Sequence, residues 1–283
     1  MNAWFPVSPC TPQACAGHHG AVRPVLPAVA RLVAGCLLAM GGAACTPLAA
    51  ALTQRARDRL VRRWSRGVLN TFGVRARVTG DPDARGGGEL VVANHISWLD
   101  VPLLAAALPS RMLGKSEIRQ WPLLGTLAAR GGTLFIDRES LRALPASVGA
   151  LADALRTGDR VVAFPEGSTR CGGGPSGTFR NAVFQAALDA GATVRPARIS
   201  YHLAGADGRD RARSPARAVA FVGDDPFHTS LWRVVRAAGM TAEVTLLPPL
   251  RADEAGDRRT LARLAQTAVA SDTANLPAVS VHH

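Results

Sequence analysis

The sequence predicts a single α/β domain in which helices flank a largely parallel central sheet, preceded by an N-terminal membrane-associating helical segment. From Glu89 onward, short β-type apolar runs alternate with helix-type segments, a pattern typical of parallel α/β domains. Of the 283 residues, 47% are hydrophobic and 19% are charged, which suits a packed core rather than a disordered chain. An uncharged stretch and a basic stretch come before the alternating region.

Four segments follow from this division. Residues 1–24 are rich in Pro, Cys and Gly and are expected to form a flexible lead. Residues 25–78 are the membrane-associating helical segment, residues 79–271 the α/β domain and residues 272–283 a loose tail. The domain starts just before Gly80–Gly88, a turn-rich break.

The candidate membrane anchor is Leu32–Leu52, which contains no charged residue. Its 21 residues are long enough to cross a bilayer as a helix. Gly41, Gly42 and Pro47 interrupt it, so it is equally compatible with a helix that lies in the membrane interface. A secretory signal peptide is the third interpretation.

The next stretch predicts a basic amphipathic helix, because arginines and apolar residues alternate at nearly helical spacing. Such a helix rests on an anionic leaflet, packs on the domain as a surface helix, or does both with opposite faces. Arginines directly after an apolar segment favour the cytoplasmic side, so we expect the inner (cytoplasmic) membrane with the α/β domain facing the cytoplasm. The basic residues are Arg55, Arg57, Arg59, Arg62, Arg63 and Arg66, among Leu60, Val61, Trp64, Val68, Leu69 and Phe72.

Within the domain, strands and helices are predicted in alternation. The predicted strands are Glu89–Ala93, Arg111–Leu113, Thr133–Ile136, Arg160–Phe164, Thr193–Tyr201, Arg217–Val222 and Ala242–Leu247. The predicted helices are Trp98–Ala107, Pro122–Arg130, Ser140–Arg156, Asn181–Ala190, Leu231–Ala238 and Arg258–Ala270.

The formal net charge of +12 predicts an anionic partner, which is a phospholipid surface, coenzyme phosphates or nucleic acid. Nearly all of the positive charge is arginine, and Lys115 is the only lysine. No nucleic-acid-binding motif is visible, and only 14 residues are Phe, Trp or Tyr. Nucleic acid is therefore not expected as a partner.

The cysteines form no C-x-x-C pair and no metal-ligand spacing, which predicts thiols in a reducing compartment. His18-His19 and His282-His283 lie in terminal segments and are expected to be tail residues rather than ligands. No metal site and no cofactor are predicted. The five cysteines are Cys10, Cys15, Cys36, Cys45 and Cys171.

The central motif is Asn94-His95, at the end of an apolar run, followed by Asp100. On a regular helix, residues five apart point about 140° away from each other. His95 and Asp100 can meet only if the histidine lies on the turn before a helix and the aspartate lies in its first turns. The carboxylate would then fix the imidazole tautomer and leave the other nitrogen as a base. The alternative is a buried strand-end histidine and an ordinary first-turn acid.

Asn94-His95-x-x-x-x-Asp100 resembles the first signature block of the glycerolipid acyltransferases, the family of bacterial lysophosphatidate acyltransferase. Three further blocks follow in the order of that family. They are Gly132-Thr133-Leu134-Phe135-Ile136-Asp137-Arg138, Phe164-Pro165-Glu166-Gly167-Ser168-Thr169-Arg170 and Val194-Arg195-Pro196-Ala197. The resemblance covers residues 57–250, which is most of the chain.

The resemblance implies transfer of a fatty acyl chain from acyl-coenzyme A or acyl carrier protein to 1-acyl-glycerol-3-phosphate, with His95 and Asp100 as the catalytic pair. There is no G-x-S-x-G elbow, and Cys171 has no histidine close in sequence, so direct attack by the acceptor hydroxyl is expected. An alternative acceptor is lyso-ornithine lipid or another lysolipid. A non-catalytic membrane lipid-binding protein with the same fold is the alternative of another class.

Arg138, at the end of the second block, corresponds to an arginine associated in the family with the phosphate of the acceptor; the alternative is a surface pair with Asp137. A lysine near Lys115 lies beside the cleft in the family, so Lys115 is expected to help hold an anionic substrate. Arg180 is a further candidate phosphate partner, or equally a solvated arginine.

In the third block, Glu166 and Gly167 are expected to bind the glycerol hydroxyl or to steady a donor near His95, the alternative being a loop cap. The family usually has arginine two residues after this glycine. Here Ser168 and Thr169 intervene and Arg170 lies three residues after it. All five are candidate substrate-binding residues, and the departure leaves the head group of the acceptor open.

Overall fold

The protein is described by a computed structural model that covers residues 10–18, 20–82, 87–121, 124–137, 140, 142–172, 177–203 and 215–271. These residues contain one eight-stranded sheet. Its strands are β1 Val74–Thr79, β2 Glu89–Ala93, β3 Arg111–Lys115, β4 Leu134–Ile136, β5 Arg160–Ala163, β6 Thr193–Leu203, β7 Met240–Leu246 and β8 Leu250–Arg251.

The sheet is largely parallel, as predicted. Its order is β1-β7-β6-β2-β5-β3-β4, and β8 pairs with β6 at one end. Parallel pairs join β1 to β7, β2 to both β5 and β6, and β3 to both β4 and β5. The two antiparallel pairs both involve β6, which meets β7 and β8.

Several helix starts differ from the prediction. The first helix of the domain begins at Asp100 rather than Trp98, after a turn in which the Asp100 N–H donates to the Ser97 carbonyl at 3.1 Å, and the helix predicted from Leu231 already begins at Phe227. The helices are α1 Pro12–Cys15, α2 Val25–Ala50, α3 Gln54–Thr71, α4 Asp100–Ala107, α5 Leu124–Arg130, α6 Leu144–Arg156, α7 Ala182–Ala190, α8 Phe227–Arg236 and α9 Arg258–Ala270.

Two strand predictions need correction. Arg217–Val222 is not a strand but contains a short 3₁₀ turn at Arg217–Val219, because its backbone bonds to loops, as in Phe221 N–H to the Ile96 carbonyl at 3.0 Å. Strand β1 falls almost wholly within the predicted membrane-associating segment, where Val74, Ala76 and Val78 alternate with polar residues as in a half-buried strand. The sheet therefore begins before residue 79.

The core has two layers, one on each face of the sheet. Neighbouring residues of β2 point to opposite faces, so Val91 and Leu90 belong to different clusters. The first cluster lies under α3, α4 and α8 and includes Leu69 and Leu103, and the second lies under α6, α7 and α9 and includes Phe184. All residues of β2 and β5 are buried, which explains their near-continuous apolar sequences.

Gly42 of α2 is a contact point rather than an interruption, whereas Gly41 faces open space. Helix α2 runs without a break from Val25 to Ala50, through Pro47. A Cβ atom on Gly42 would lie 2.5 Å from the Trp64 indole of α3, whose Nε1 donates to the Leu38 carbonyl at 3.0 Å. By length and composition, Val25–Ala49 is apolar enough to cross a membrane, and most of it is exposed.

Helix α3 has two distinct faces, as the basic amphipathic pattern predicts. Ser65, Val68 and Leu69 are buried against the domain. The opposite face carries four exposed arginines at i, i+4, i+8 and i+11, which we call the basic stripe: Arg55, Arg59, Arg63 and Arg66.

The described residues of the predicted flexible lead pack against the domain instead. Ala21 and Arg23 exchange backbone hydrogen bonds with the end of α8, through Ala238 and Arg236. The Arg23 guanidinium also donates to the carbonyls of Val235, Ala237 and Gly73. Residues 1–9 and the predicted tail 272–283 lie outside the described residues.

A buried ionic cluster joins three strands at their amino-terminal ends. The Glu89 carboxylate of β2 accepts from Nε of Arg160 in β5 and from Nε of Arg195 in β6. The same guanidinium groups donate to the carbonyls of Pro82 and Asp81, at 3.3 and 3.2 Å. This cluster holds the turn before β2, at the opposite end of the strands from His95.

Candidate active site

His95 lies in the loop between β2 and α4, at the carboxyl ends of the parallel strands, where ligands bind in open α/β sheets. Its Nδ1 atom lies 2.8 Å from Oδ2 of Asp100, the first residue of α4. Because a carboxylate only accepts hydrogen bonds, Nδ1 carries the hydrogen and Nε2 keeps its lone pair. The histidine side chain is 22% exposed and that of Asp100 is 0% exposed.

The Asp100 carboxylate accepts four hydrogen bonds, which compensate its complete burial. Oδ2 accepts from the backbone N–H groups of Ile96 and Ser97 at 2.7 and 2.9 Å, in addition to His95. Oδ1 accepts from the Tyr201 hydroxyl at 2.6 Å. The two backbone donors fold the loop over the first turn of α4, so residues five apart meet.

Two further residues support the imidazole and the strand end that carries it. The Phe164 ring, which follows β5, stacks on the His95 ring with centroids 4.0 Å apart and an interplanar angle of 12°. Asn94 clips the end of β2 to β6, because its amide donates to the Ile199 carbonyl at 2.9 Å and accepts from the Ile199 N–H at 2.8 Å. Asp100 therefore fixes the edge of the His95 ring, and Phe164 fixes its face.

Tyr201 extends this support from β6. Burial first, and then the charge of Asp100 and the hydrogen bond to it, raise the pKa of Tyr201 well above its usual value. The hydroxyl therefore stays protonated and remains a donor to Asp100 near neutral pH.

Glu166 connects the third block to the His95 loop. Gly167 adopts φ 76°, a left-handed conformation suited to glycine, and its N–H donates to the Phe164 carbonyl at 3.1 Å. This turn directs the buried Glu166 carboxylate to the N–H groups of Gly177, at 2.8 Å, and His95, at 3.4 Å. Burial raises the pKa of Glu166, while these two hydrogen bonds and the nearby positive charge of Arg170 oppose the rise.

Ser168, Thr169 and Arg170 differ in their surroundings. The Thr169 hydroxyl donates to the Phe221 carbonyl, a contact within the protein. The Arg170 N–H donates to the His95 carbonyl at 2.8 Å. Arg170 Nε and Ser168 Oγ are buried, and neither has a hydrogen-bond partner within the described part of the chain. Both groups therefore offer donors that no described residue uses.

The other predicted substrate-binding residues are exposed or are not described. Lys115 is exposed at the carboxyl end of β3, and Arg180 is exposed while its N–H donates to the Pro165 carbonyl at 3.0 Å. Arg138 lies outside the described residues. The structure thus brings His95, Asp100, Glu166 and Arg170 together and leaves Lys115 and Arg180 as surface cations.

The sequence predicts no role in this site for Tyr201, the Phe164 ring or the Gly177 N–H. Tyr201 is the only tyrosine of the chain and lies 101 positions after Asp100, so no local pattern connects the two. Phe164 is the first residue of the third block, but its stacking on His95 is visible only in the fold. The fold also shows why residue 177 is glycine, because a Cβ atom there would lie 2.5 Å from Arg170 Nε.

The sequence matches the Acyltransferase family over residues 75–200. A lyso-ornithine lipid O-acyltransferase of Pseudomonas aeruginosa is 38% identical over 228 residues, which cover 81% of this chain and 80% of that protein. A 1-acyl-sn-glycerol-3-phosphate acyltransferase of Neisseria meningitidis serogroup B is 36% identical over 205 residues, which cover 72% and 77% of the two chains.

The fold is similar to the crystal structure of the 1-acyl-sn-glycerophosphate (LPA) acyltransferase PlsC from Thermotoga maritima, with a TM-score of 0.63 over 87% of this chain and 92% of that chain. The sequence identity in this comparison is 16%, so it bears on the fold alone. The two sequence relatives support assignment of the chain to their family, because each is well above 30% identical over more than two thirds of its length. The chain therefore belongs to the glycerolipid acyltransferase family of enzymes.

Proposed function

We propose that this enzyme transfers a fatty acyl chain from acyl-coenzyme A or acyl carrier protein to the free hydroxyl of 1-acyl-glycerol-3-phosphate, which makes phosphatidic acid. The observation that carries the proposal is the 2.8 Å contact between Nδ1 of His95 and the buried Asp100, with the imidazole partly exposed. Such a pair is suited to general-base catalysis.

In the proposed mechanism, Nε2 of His95 takes the proton of the acceptor hydroxyl while that oxygen attacks the carbonyl carbon of the thioester. Asp100 stabilises the imidazolium that forms. The tetrahedral intermediate then breaks its C–S bond, and the thiolate leaves with the proton from His95. Proton transfer of this kind contributes roughly 10²–10⁴ in rate. No acyl-enzyme is formed, and no cofactor besides the acyl donor is needed.

The head group of the acceptor is expected to bind at the third block. Arg170 supports this, because its buried Nε has no partner in the described chain and a guanidinium forks onto phosphate oxygens. The buried Ser168 hydroxyl is a second donor, and Glu166 and Gly167 keep this loop against His95. Arg138, Lys115 and Arg180 remain candidate cations for phosphate.

A second acceptor is lyso-ornithine lipid, which carries a carboxylate that a guanidinium also binds. Two observations favour it. The third block has one more residue before its arginine than the usual family pattern, and the relative in Pseudomonas aeruginosa is named for this substrate. Neither acceptor requires a change in the role of His95.

We also propose that the enzyme works at an anionic membrane surface, on the cytoplasmic side of the inner membrane. An exposed apolar stripe on α2 supports this: Leu26, Val29, Val33, Leu37 and Met40. The basic stripe of α3 supplies cations beside it.

Helix α2 is proposed to lie in the membrane interface rather than to cross the bilayer. It is attached to the domain at both ends: Arg31 donates to the Asn70 carbonyl at 2.9 Å, and Arg130 of α5 donates to the Ala43 carbonyl at 3.3 Å. If α2 crossed the bilayer in this arrangement, the polar helices packed along it would have to enter the hydrocarbon.

The test is release of thiol from acyl-coenzyme A, or from acyl carrier protein, by purified enzyme in mixed micelles with a panel of lysolipids. We expect release that depends on 1-acyl-glycerol-3-phosphate and equals the phosphatidic acid formed. Acylation of lyso-ornithine lipid with 1-acyl-glycerol-3-phosphate ignored would select the second acceptor. Absence of turnover with every lysolipid would overturn the proposal.

A further inference from the structure

Three cysteines that are far apart in sequence meet in the fold. The sulfur atoms of Cys10, Cys15 and Cys171 all lie within 4.8 Å of one another. None of the three is in a disulfide, and Sγ of Cys10 donates to Sγ of Cys171 at 3.5 Å, far beyond a bond length of about 2.05 Å. The sequence shows no metal-ligand spacing among the cysteines, yet the fold brings these three together.

The spacing of the sulfurs suits a thiophilic metal ion. Zinc–sulfur bonds of about 2.3 Å in a tetrahedral site place the sulfurs about 3.8 Å apart. The 3.5 Å contact between Cys10 and Cys171 is close to this value, so an ion requires little rearrangement. Oxygen-preferring cations such as Mg²⁺ do not select thiolate ligands.

Thiolates, not thiols, are the ligands of such an ion, so binding at this cluster would release the protons of the three cysteines.

His18, three residues after Cys15, is not a member of this group of ligand atoms. Within the described part of the chain, the protein therefore offers three ligands, and a water molecule would complete a tetrahedral site.

We propose that Cys10, Cys15 and Cys171 bind one Zn²⁺-class ion that joins the N-terminal segment to the active-site loop. Cys171 directly follows Arg170, whose N–H donates to the His95 carbonyl. Cys10 lies over the turn at Gly223, where a Cβ atom would lie 3.3 Å from its carbonyl oxygen. The ion therefore holds the loop that carries Glu166 and Arg170, and it takes no part in the chemistry.

The test uses the full-length enzyme in detergent, depleted of metal and then titrated with Zn²⁺ against a chromophoric chelator. Wild type is expected to bind about one ion per chain, and Co²⁺ is expected to give the intense near-ultraviolet absorption of thiolate-to-cobalt charge transfer. Cys10→Ser, Cys15→Ser and Cys171→Ser should each weaken binding by more than the roughly 10–100-fold typical of an outer-sphere change.

Cys36→Ser and Cys45→Ser are the matched controls, because both thiols are exposed on α2, and they should bind zinc as wild type does. The Co²⁺ absorption is measured on wild type, so it tests the site even if a cysteine variant does not fold. Wild type that binds no zinc, gives no charge-transfer band, or contains a Cys10–Cys171 disulfide under reducing purification overturns the proposal.

Discussion

At the scale of single residues, the site depends on one imidazole whose two nitrogens have different roles. Nδ1 donates to the Asp100 carboxylate, which also accepts hydrogen bonds from Ile96, Ser97 and Tyr201. All of these donors come from the protein, so the pair is organised before substrate arrives. Little reorganisation is then needed as charge develops on His95.

The change Asp100→Asn should separate charge from geometry. The amide oxygen can take the place of Oδ2 and accept from Ile96, Ser97 and His95, while the amide nitrogen donates to the Tyr201 hydroxyl oxygen. We expect a folded enzyme whose turnover number is lower by roughly 10²–10⁴, because the imidazolium loses its negative partner. Thiol release and thermal unfolding measure the two properties, and near-normal turnover in a folded variant would contradict the role of Asp100.

At the scale of elements, the site is assembled from the carboxyl ends of three strands. Loops after β2 and β5 carry His95 and Glu166, and β6 supplies Tyr201 and the partner of Asn94. The opposite ends of the same strands are joined by the buried Glu89 cluster. The candidate site residues and the buried ionic cluster therefore lie at opposite edges of one sheet.

The Glu166 carboxyl gives a pH dependence whose sign follows from its burial. Its folded-state pKa is raised, so the folded protein holds this proton more tightly than the unfolded chain does. The resulting stabilisation is complete below the unfolded value of about 4.3 and is lost as pH rises through the folded pKa. The stability difference between wild type and Glu166→Gln should therefore shift against wild type as pH rises.

Urea unfolding of both proteins over a pH series from acid to neutral measures this difference. Glu166→Gln also loses one acceptor for the Gly177 or His95 N–H groups, so the variant is expected to be less stable overall. A difference that moved in favour of wild type with rising pH would contradict the raised pKa.

Removal of the Glu89 carboxylate tests the opposite edge of the sheet. Glu89→Ala leaves the buried Arg160 and Arg195 without their anion, which typically costs about 3–5 kcal/mol. Asp253→Asn is the matched control, because its pair with Arg251 is exposed, and it should leave stability unchanged. Denaturant unfolding measures both variants. Equal effects, or a Glu89→Ala enzyme as stable as wild type, would refute a structural role for the buried ionic cluster.

At the scale of the whole molecule, α2 and α3 form an apolar and basic surface attached to a compact α/β domain. Trp64 of α3 fits against Gly42 of α2, and Leu69 of α3 is part of the core of the domain. These two helices are thus continuous with the layer that covers α4 and the His95 loop. We propose that lipid substrates reach the site from this side.

The basic stripe predicts salt-dependent binding to anionic vesicles. A double change, Arg59→Gln with Arg63→Gln, should weaken that binding by about 2 kcal/mol, at about 1 kcal/mol per arginine near the surface. Arg251→Gln, on β8, is the control. Vesicle flotation at low and high salt measures the effect, and equal loss in both variants would indicate a general charge effect instead.

Local sequence patterns correctly predicted the elements whose bounds depend on neighbouring residues in the chain. Glu89–Ala93 and Arg258–Ala270 were predicted with the bounds they have, because one is a continuous buried run and the other begins at the Asp257 cap. The approach of His95 to Asp100 was also predictable, since it needs only a turn before α4.

Contacts between distant segments left no such pattern. Tyr201 meets Asp100 across 101 positions, and Cys171 meets Cys10 across 161. Arg217–Val222 has a strand-like composition, but its backbone partners are loops, which only the tertiary fold decides. The sequence around Gly42 predicts an interruption of the apolar helix, because the partner of Gly42, Trp64, lies on another helix.

The most direct test of the proposed mechanism is the turnover of His95→Gln, compared with wild type, in thiol release that depends on the lysolipid. Glutamine keeps a polar side chain in the loop but has no basic nitrogen to accept the proton. We predict that turnover falls by at least roughly 10²–10⁴ while vesicle binding and thermal stability stay close to those of wild type. A folded His95→Gln enzyme with turnover close to wild type would contradict general-base catalysis by His95.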